Sequence, residues 1–166
     1  AGGRGSPRGD GRRRARAKCP GRQAPPFRKC WDDVEKGPME KRVYYHDTDA
    51  GGIVYYGNYL KFLEEARTEF LEDKGMSVAT FLQRGLAYAV RKCSIIYRSP
   101  ARYGDTLLCD ATLLKVTAAQ LIFSQKIFHK TTGQLIVEAE VTLACLNQDF
   151  KPTVIPEDLK SRLCAN

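Results

Sequence analysis

Residues 44–71 read YYHDTDAGGIVYYGNYLKFLEEARTEFL, and the fold turns on them. The first part is a loop, because His46, Asp47, Thr48, Asp49, Ala50, Gly51 and Gly52 include several turn formers and no apolar period. The second part predicts a helix. Asn58 is a good N-cap, apolar residues recur at 59, 62, 63, 66 and 70, and Gly75 supplies a stop. This spacing predicts about four turns over 59–74, with Leu60 and Leu71 widening the apolar face.

Upstream, Lys41-Arg42-Val43-Tyr44-Tyr45 predicts a short strand of aromatic and β-branched residues. Downstream, 77–83 predict a short second helix before Gly85. The rest is β in character, with long segments over 86–98, 106–117, 121–130 and 134–146. The last alternates most clearly: Leu135, Val137, Ala139, Val141, Leu143 and Cys145 share one face, and Glu138, Glu140 and Thr142 the other. The links are short, and Thr131-Thr132-Gly133 is a hairpin turn, so an antiparallel meander is expected. Residues 151–154 are a candidate edge strand, and 156–163 a final helical turn or two. One long helix followed by such a sheet makes a two-layer α+β domain. A long sheet edge is a liability that edge pairing of two copies removes, so a homo-oligomer is expected, a homodimer or a homotetramer built as a dimer of dimers.

Composition narrows the functional classes. The chain has 166 residues, 43% apolar and 28% charged, which suits one globular domain. No apolar run approaches the length a membrane span needs, and the N-terminus lacks a secretory h-region. The net charge of +8 is unevenly placed: residues 1–38 hold 11 basic and 4 acidic residues (+7), and residues 39–166 hold 16 and 15 (+1). The expected organisation is a disordered basic leader, 1–38, before a globular domain, 39–166, with Met39 as the true start. A basic arm for nucleic acid or an anionic membrane surface competes with that reading. Trp31 and Phe27 are too few for a stacking platform, and no nucleic-acid partner is expected. Six cysteines (Cys19, Cys30, Cys93, Cys109, Cys145, Cys164) form no CxxC pair, so no metal or cofactor site is expected. Reduced thiols, with Cys93, Cys109 and Cys145 as small hydrophobes in strands, fit a cytoplasmic protein.

The chemistry is concentrated in the crossing from strand to helix. A carboxylate near a helix N-terminus sees unpaired backbone N–H groups, and those groups can hold a developing oxyanion. A carboxylate can attack a thioester or deprotonate a water, because a thiolate leaves with little general-acid help. The competing reading of Asp49 is an Asx-turn or helix cap. A nucleophile elbow, GxSxG, and a phosphate loop, GxxxxGK[ST], are both missing.

The stretch 44–71 resembles the signature of the 4-hydroxybenzoyl-CoA thioesterase family, including its Tol-Pal-associated acyl-CoA thioesterase branch. The pattern is D-x-D-x-x-G-[IV]-V, here beginning at Asp47, followed by an aromatic pair and Asn58-Tyr59. Ile96-Tyr97-Arg98-Ser99-Pro100-Ala101-Arg102-Tyr103-Gly104-Asp105 resembles the family's strand-end motif, and the likeness covers about 40–150. It implies a hotdog fold, with a long central helix packed on a curved antiparallel sheet of five to six strands. It also implies an acyl-CoA substrate, Asp49 as the catalytic carboxylate and the Tyr56 backbone N–H as donor to the thioester carbonyl. Asp47 then supports the loop. In the Tol-Pal branch a His commonly stands where this chain has Tyr56, which leaves the backbone donor and removes a side-chain acid/base. Coenzyme A carries phosphates, so Arg91, Lys92, Arg98 and Arg102 are candidate contacts, each competing with a plain solvated charge. His46 is a candidate to orient Asp47 or water, against the reading of a loop residue; His129 is read as solvated. The alternative function is a non-catalytic module binding an acyl thioester or a protein on the same fold.

Overall fold

The computed structural model describes residues 1–2 and 37–164; most of the expected basic leader, 3–36, lies outside the described residues. Its elements are β1 (Met39–Arg42), α1 (Asn58–Asp73), α2 (Val78–Gln83), β2 (Ala87–Tyr97), β3 (Thr106–Val116), β4 (Gln120–His129), β5 (Leu135–Leu146) and α3 (Glu157–Cys164). A single 3-10 turn, Tyr45–Asp47, separates β1 from the loop before α1. The five strands form one antiparallel sheet in the order β1-β3-β4-β5-β2. The long helix lies against it, touching β3 most and β1 and β4 less. This is the hotdog arrangement.

The meander holds for β3, β4 and β5 but not for β2, which pairs with β5 instead of its sequence neighbour β3. The physical reason is local. The outer edge of β3 is taken by β1, with Met39 opposite Cys109, and the 99–105 link is tied to the loop before α1. β2 therefore forms the far edge of the sheet. Residues 151–154 make an isolated bridge, Pro152 with Leu146, rather than a sixth strand.

On α1 the expected positions Tyr59, Phe62, Leu63 and Ala66 are buried, as is Leu71, while Leu60 is exposed. Phe62 and Leu63 meet a sheet face that includes Leu107, Leu121, Phe123, Ile127 and Val137, all buried. Removing each such side chain from water contributes about 1.5–3 kcal/mol. Ser77 caps α2, its hydroxyl accepting from the Thr80 N–H at 3.2 Å. Cys109 and Cys145 are buried free thiols, and burial pushes Cys109 up to about 12, so it is inert. Cys93, read as a small hydrophobe in a strand, does lie in β2 but is exposed there, because this edge strand has no neighbour beyond it.

The core also contains polar groups that periodicity did not disclose. Gln125 is fully buried on β4, its amide donating to the Leu63 carbonyl at 2.8 Å. Its oxygen accepts from Arg67 Nη1 at 2.8 Å. This amide stitches helix to sheet in the middle of an apolar layer. Replacing Gln125 with Leu removes both bonds and leaves a buried guanidinium without a partner here; a loss of about 3 kcal/mol is expected in urea unfolding, with the m-value unchanged.

Candidate active site

The loop before α1 is held by one buried carboxylate. Asp47 Oδ2 accepts the Tyr44 N–H at 2.8 Å, and His46 Nε2 lies 3.5 Å from Oδ1. The Asp47 carbonyl accepts twice, from the Asn58 side-chain amide at 2.9 Å and from the Tyr55 N–H at 2.9 Å. Asn58 is thus the first residue of α1 rather than its cap; the N-cap is Gly57. The Asn58 side chain turns inward because a loop carbonyl, not a helix amide, needs it.

Within this frame, residues 48–54 form a tight reversal. Thr48 bridges Val54, the Asp49 N–H donates to the Ile53 carbonyl at 2.9 Å, and Gly52 closes the turn with φ +72°. That left-handed backbone suits glycine. Asp49 is exposed at the head of the reversal. Its Oδ1 accepts the Gly51 N–H at 2.8 Å, the Asx contact anticipated for such a loop. Oδ2 has no partner among the described residues. The carboxylate is therefore oriented through one oxygen and open at the other.

The chain then enters α1 through Tyr55, Tyr56 and Gly57. Neither the Tyr56 nor the Gly57 backbone N–H meets an acceptor among the described residues. Both amides lie at the positive end of a helix of 16 residues. The Tyr56 side chain is 62% exposed, and its carbonyl accepts the Tyr97 hydroxyl at 3.2 Å. A Cβ on Gly57 would stand 2.8 Å from the Tyr55 ring, so a larger residue there displaces that ring.

The second motif packs against the first. The Val54 N–H donates to the Ala101 carbonyl at 2.9 Å, the Ala101 N–H to the Tyr59 hydroxyl at 3.1 Å, and Ile53 bridges Arg102. Arg102 thus lies beside the Asp49 loop, and its guanidinium has no partner among the described residues. Arg98, at the same end of β2, is engaged by Glu138 through Nε (3.0 Å) and Nη2. Arg91 and Lys92 sit at a bulge in mid-β2, roughly 17–20 Å from Tyr97 along the strand. The four cations are therefore not brought together in one protomer. His129 is half-buried rather than solvated: its Nδ1 accepts the Thr131 and Thr132 N–H groups, and Nε2 lies 3.5 Å from Asp105.

A cavity of about 240 Å³ opens elsewhere, between the second half of α1, α2 and the start of β2. Arg67, Phe81, Leu86, Tyr88 and Val90 are among its walls, and the Asp49 loop is not. No alternating pattern points to this space; an Arg among apolar helix positions was the available signal. Among the described residues no helix is long and apolar enough to cross a membrane, and no three His, Cys, Asp or Glu side chains converge on a metal position.

Asn58→Ala removes one of the two bonds to the Asp47 carbonyl. A loss of about 1–1.5 kcal/mol in thermal unfolding is expected, with faster hydrogen exchange at the Asp49 and Tyr55 amides than in the sheet.

Residues 43–163 match the model of the thioesterase-like superfamily. The chain is 37% identical over 119 residues to the acyl-CoA thioester hydrolase YbgC of Escherichia coli, covering 71% of this chain and 88% of that one. It is 36% identical over 122 residues to the acyl-CoA thioesterase YbgC of Haemophilus influenzae, covering 72% and 88%. Among solved structures, a 1,4-dihydroxy-2-naphthoyl-CoA thioesterase from Synechocystis superposes with a TM-score of 0.71 at 26% identity, covering 77% and 95%. With a two-Asp loop feeding a helix whose first amides are unclaimed, and with relatives of this kind, the chain belongs to the thioesterase-like superfamily.

Proposed function

We propose that the protein hydrolyses an acyl-CoA thioester to a free acid and CoA, with Asp49 as the carboxylate that acts. The observation carrying this reading is the pairing, on one junction of loop and helix, of a carboxylate oxygen without a partner and two helix-entry amides without acceptors among the described residues. The amides of Tyr56 and Gly57 receive the charge that develops on the thioester oxygen. Asp49 either attacks the carbonyl carbon, giving an anhydride that water then opens, or takes a proton from the attacking water. In the first route a C–O bond to Asp49 forms as the C–S bond breaks, and water then forms the acid's C–O bond as the anhydride's breaks. In the second a single C–O bond forms, from water, as C–S breaks. In both a proton from that water ends on the departing thiolate. The relatives named as acyl-CoA thioesterases support the substrate class. Arg102, beside the loop and without a partner here, is the foremost of the four cations for a CoA phosphate.

The working unit we propose is a homodimer joined through β2. This edge strand is 11 residues long, and its helix-side strip of Val90, Cys93, Ile95 and Tyr97 is largely uncovered, with Val90 54% exposed. Antiparallel pairing of two such strands sets the Tyr97 end of one against the Ala87 end of the other. Tyr97 is bonded to the helix entry, and Ala87 and Val90 border the cavity. Such a dimer therefore carries the partner's Asp49 to the mouth of this protomer's cavity, which supplies the room for an acyl group that the exposed loop lacks.

Asp49→Asn is expected to lower free-CoA release by about 10³-fold with the fold intact. Tyr56→Phe should change it by less than about threefold, because the donor is the backbone, whereas Tyr56→Pro removes that N–H and should cost about 10²-fold. A wild type that cleaves no acyl-CoA of any chain type would establish the alternative, a binding module on this fold. Val90→Arg puts a charge on the exposed strip without disturbing the protomer core. It should shift sedimentation from dimer to monomer and lose thioester cleavage in parallel; a fully active monomeric wild type would refute the shared site.

A further inference from the structure

Arg67 is out of keeping with its surroundings. It lies on the core side of α1, only 7% exposed, yet its side chain's one hydrogen-bond partner among the described residues is the neutral amide of Gln125. No carboxylate stands within ion-pair distance of it among the described residues. A guanidinium carries five N–H donors, and a buried cation with so few partners is a costly feature for a helix to keep. Burial, the largest influence, lowers its pKa; Glu64 and Cys93, the acidic neighbours facing it, act in the opposite direction.

The cavity gives those donors a place to act. Arg67 lines it together with Glu64, Thr68 and Leu71, so the α1 wall carries three polar side chains beside one leucine. Phe81, Leu82 and Val90 make other walls apolar. Glu64 is bonded by the Thr68 hydroxyl at 2.9 Å rather than by Arg67, which leaves an acceptor and a donor one helical turn apart on the same wall. A purely hydrocarbon ligand leaves both unmatched. A carboxylate meets Arg67 at the expense of repulsion from Glu64. A neutral oxygen satisfies the wall, accepting from Arg67 and, when it is a hydroxyl, donating to Glu64.

We infer that this cavity takes the far end of the acyl group and that Arg67 is a specificity-determining residue, selecting chains that carry a neutral oxygen substituent, a hydroxyl or a keto group, at that end. The inference rests on the thioesterase reading above and on delivery of the thioester by the partner's Asp49. Apolar walls bury the chain, and the guanidinium recognises what the chain ends in. A site built to bond an oxygen discriminates against the analogue lacking it more strongly than an apolar pocket discriminates by size.

Free-CoA release from three length-matched aliphatic acyl-CoAs tests this: one unsubstituted, one ending in a hydroxyl and one ending in a carboxylate. For the wild type, kcat/KM should be at least about tenfold higher for the hydroxyl chain than for the plain one, with the carboxylate chain lowest. In Arg67→Met the hydroxyl-to-plain ratio should fall to near unity, and Arg67→Lys should keep part of it. This ratio is insensitive to a general loss of active protein. Should Arg67→Met fail to fold, the wild-type ranking decides together with Glu64→Gln, an exposed position, which should raise the carboxylate chain towards the hydroxyl chain. Equal cleavage of plain and hydroxyl chains by the wild type, or an unchanged ratio in folded Arg67→Met, overturns the inference and leaves the thioesterase reading standing. Cleavage of none of the three, nor of any other acyl-CoA, overturns both.

Discussion

Everything at the junction of loop and helix depends on how Asp47 is satisfied. Its carboxylate closes the turn from Tyr44, and its carbonyl accepts from Asn58 and Tyr55 at once. Burying a carboxylate is expensive unless its lone pairs are used, so this residue has a narrow choice of positions. The consequence is registration. With both sides of Asp47 tied, the reversal over 48–54 has one seat, and α1 begins at Asn58. The Asp49 carboxylate, two residues away, is left with a single bond among the described residues, from the Gly51 N–H. One aspartate is used for position, and the other keeps a carboxylate oxygen without a partner among the described residues.

Much of the fold was legible in the sequence, and the reason is periodicity. The helix positions at 59, 62, 63 and 66 and the alternation through β5 report the same apolar layer from its two sides. What local patterning could not convey was pairing. The 99–105 link is short enough for a hairpin, yet β2 pairs with β5, because the link is bonded to the loop before α1 and β1 already occupies the edge of β3. That is a tertiary constraint, and no window of residues contains it.

The candidate site was legible to a different degree. Asp49 and Tyr56 stand out in a contiguous motif, and the loop and helix entry bring them onto one junction. The cations were chosen by nearness to strand ends, which says nothing about partners: Arg98 turned out to be held by Glu138, while Arg102 has no such neighbour among the described residues. Arg67 and Gln125 escaped notice because each is a lone polar residue within an apolar pattern, and their bond joins positions 58 residues apart. Polar residues in a core announce themselves only when the sheet is assembled over the helix.

The two margins of the sheet are unequal. β1 offers four residues and β2 eleven. A sheet with one long margin and one short one can be extended on a single side, and a two-fold union uses that side up. In the dimer proposed above, geometry of this kind would limit growth along the sheet: with β2 paired, the margin left to recruit a further strand is the four residues of β1.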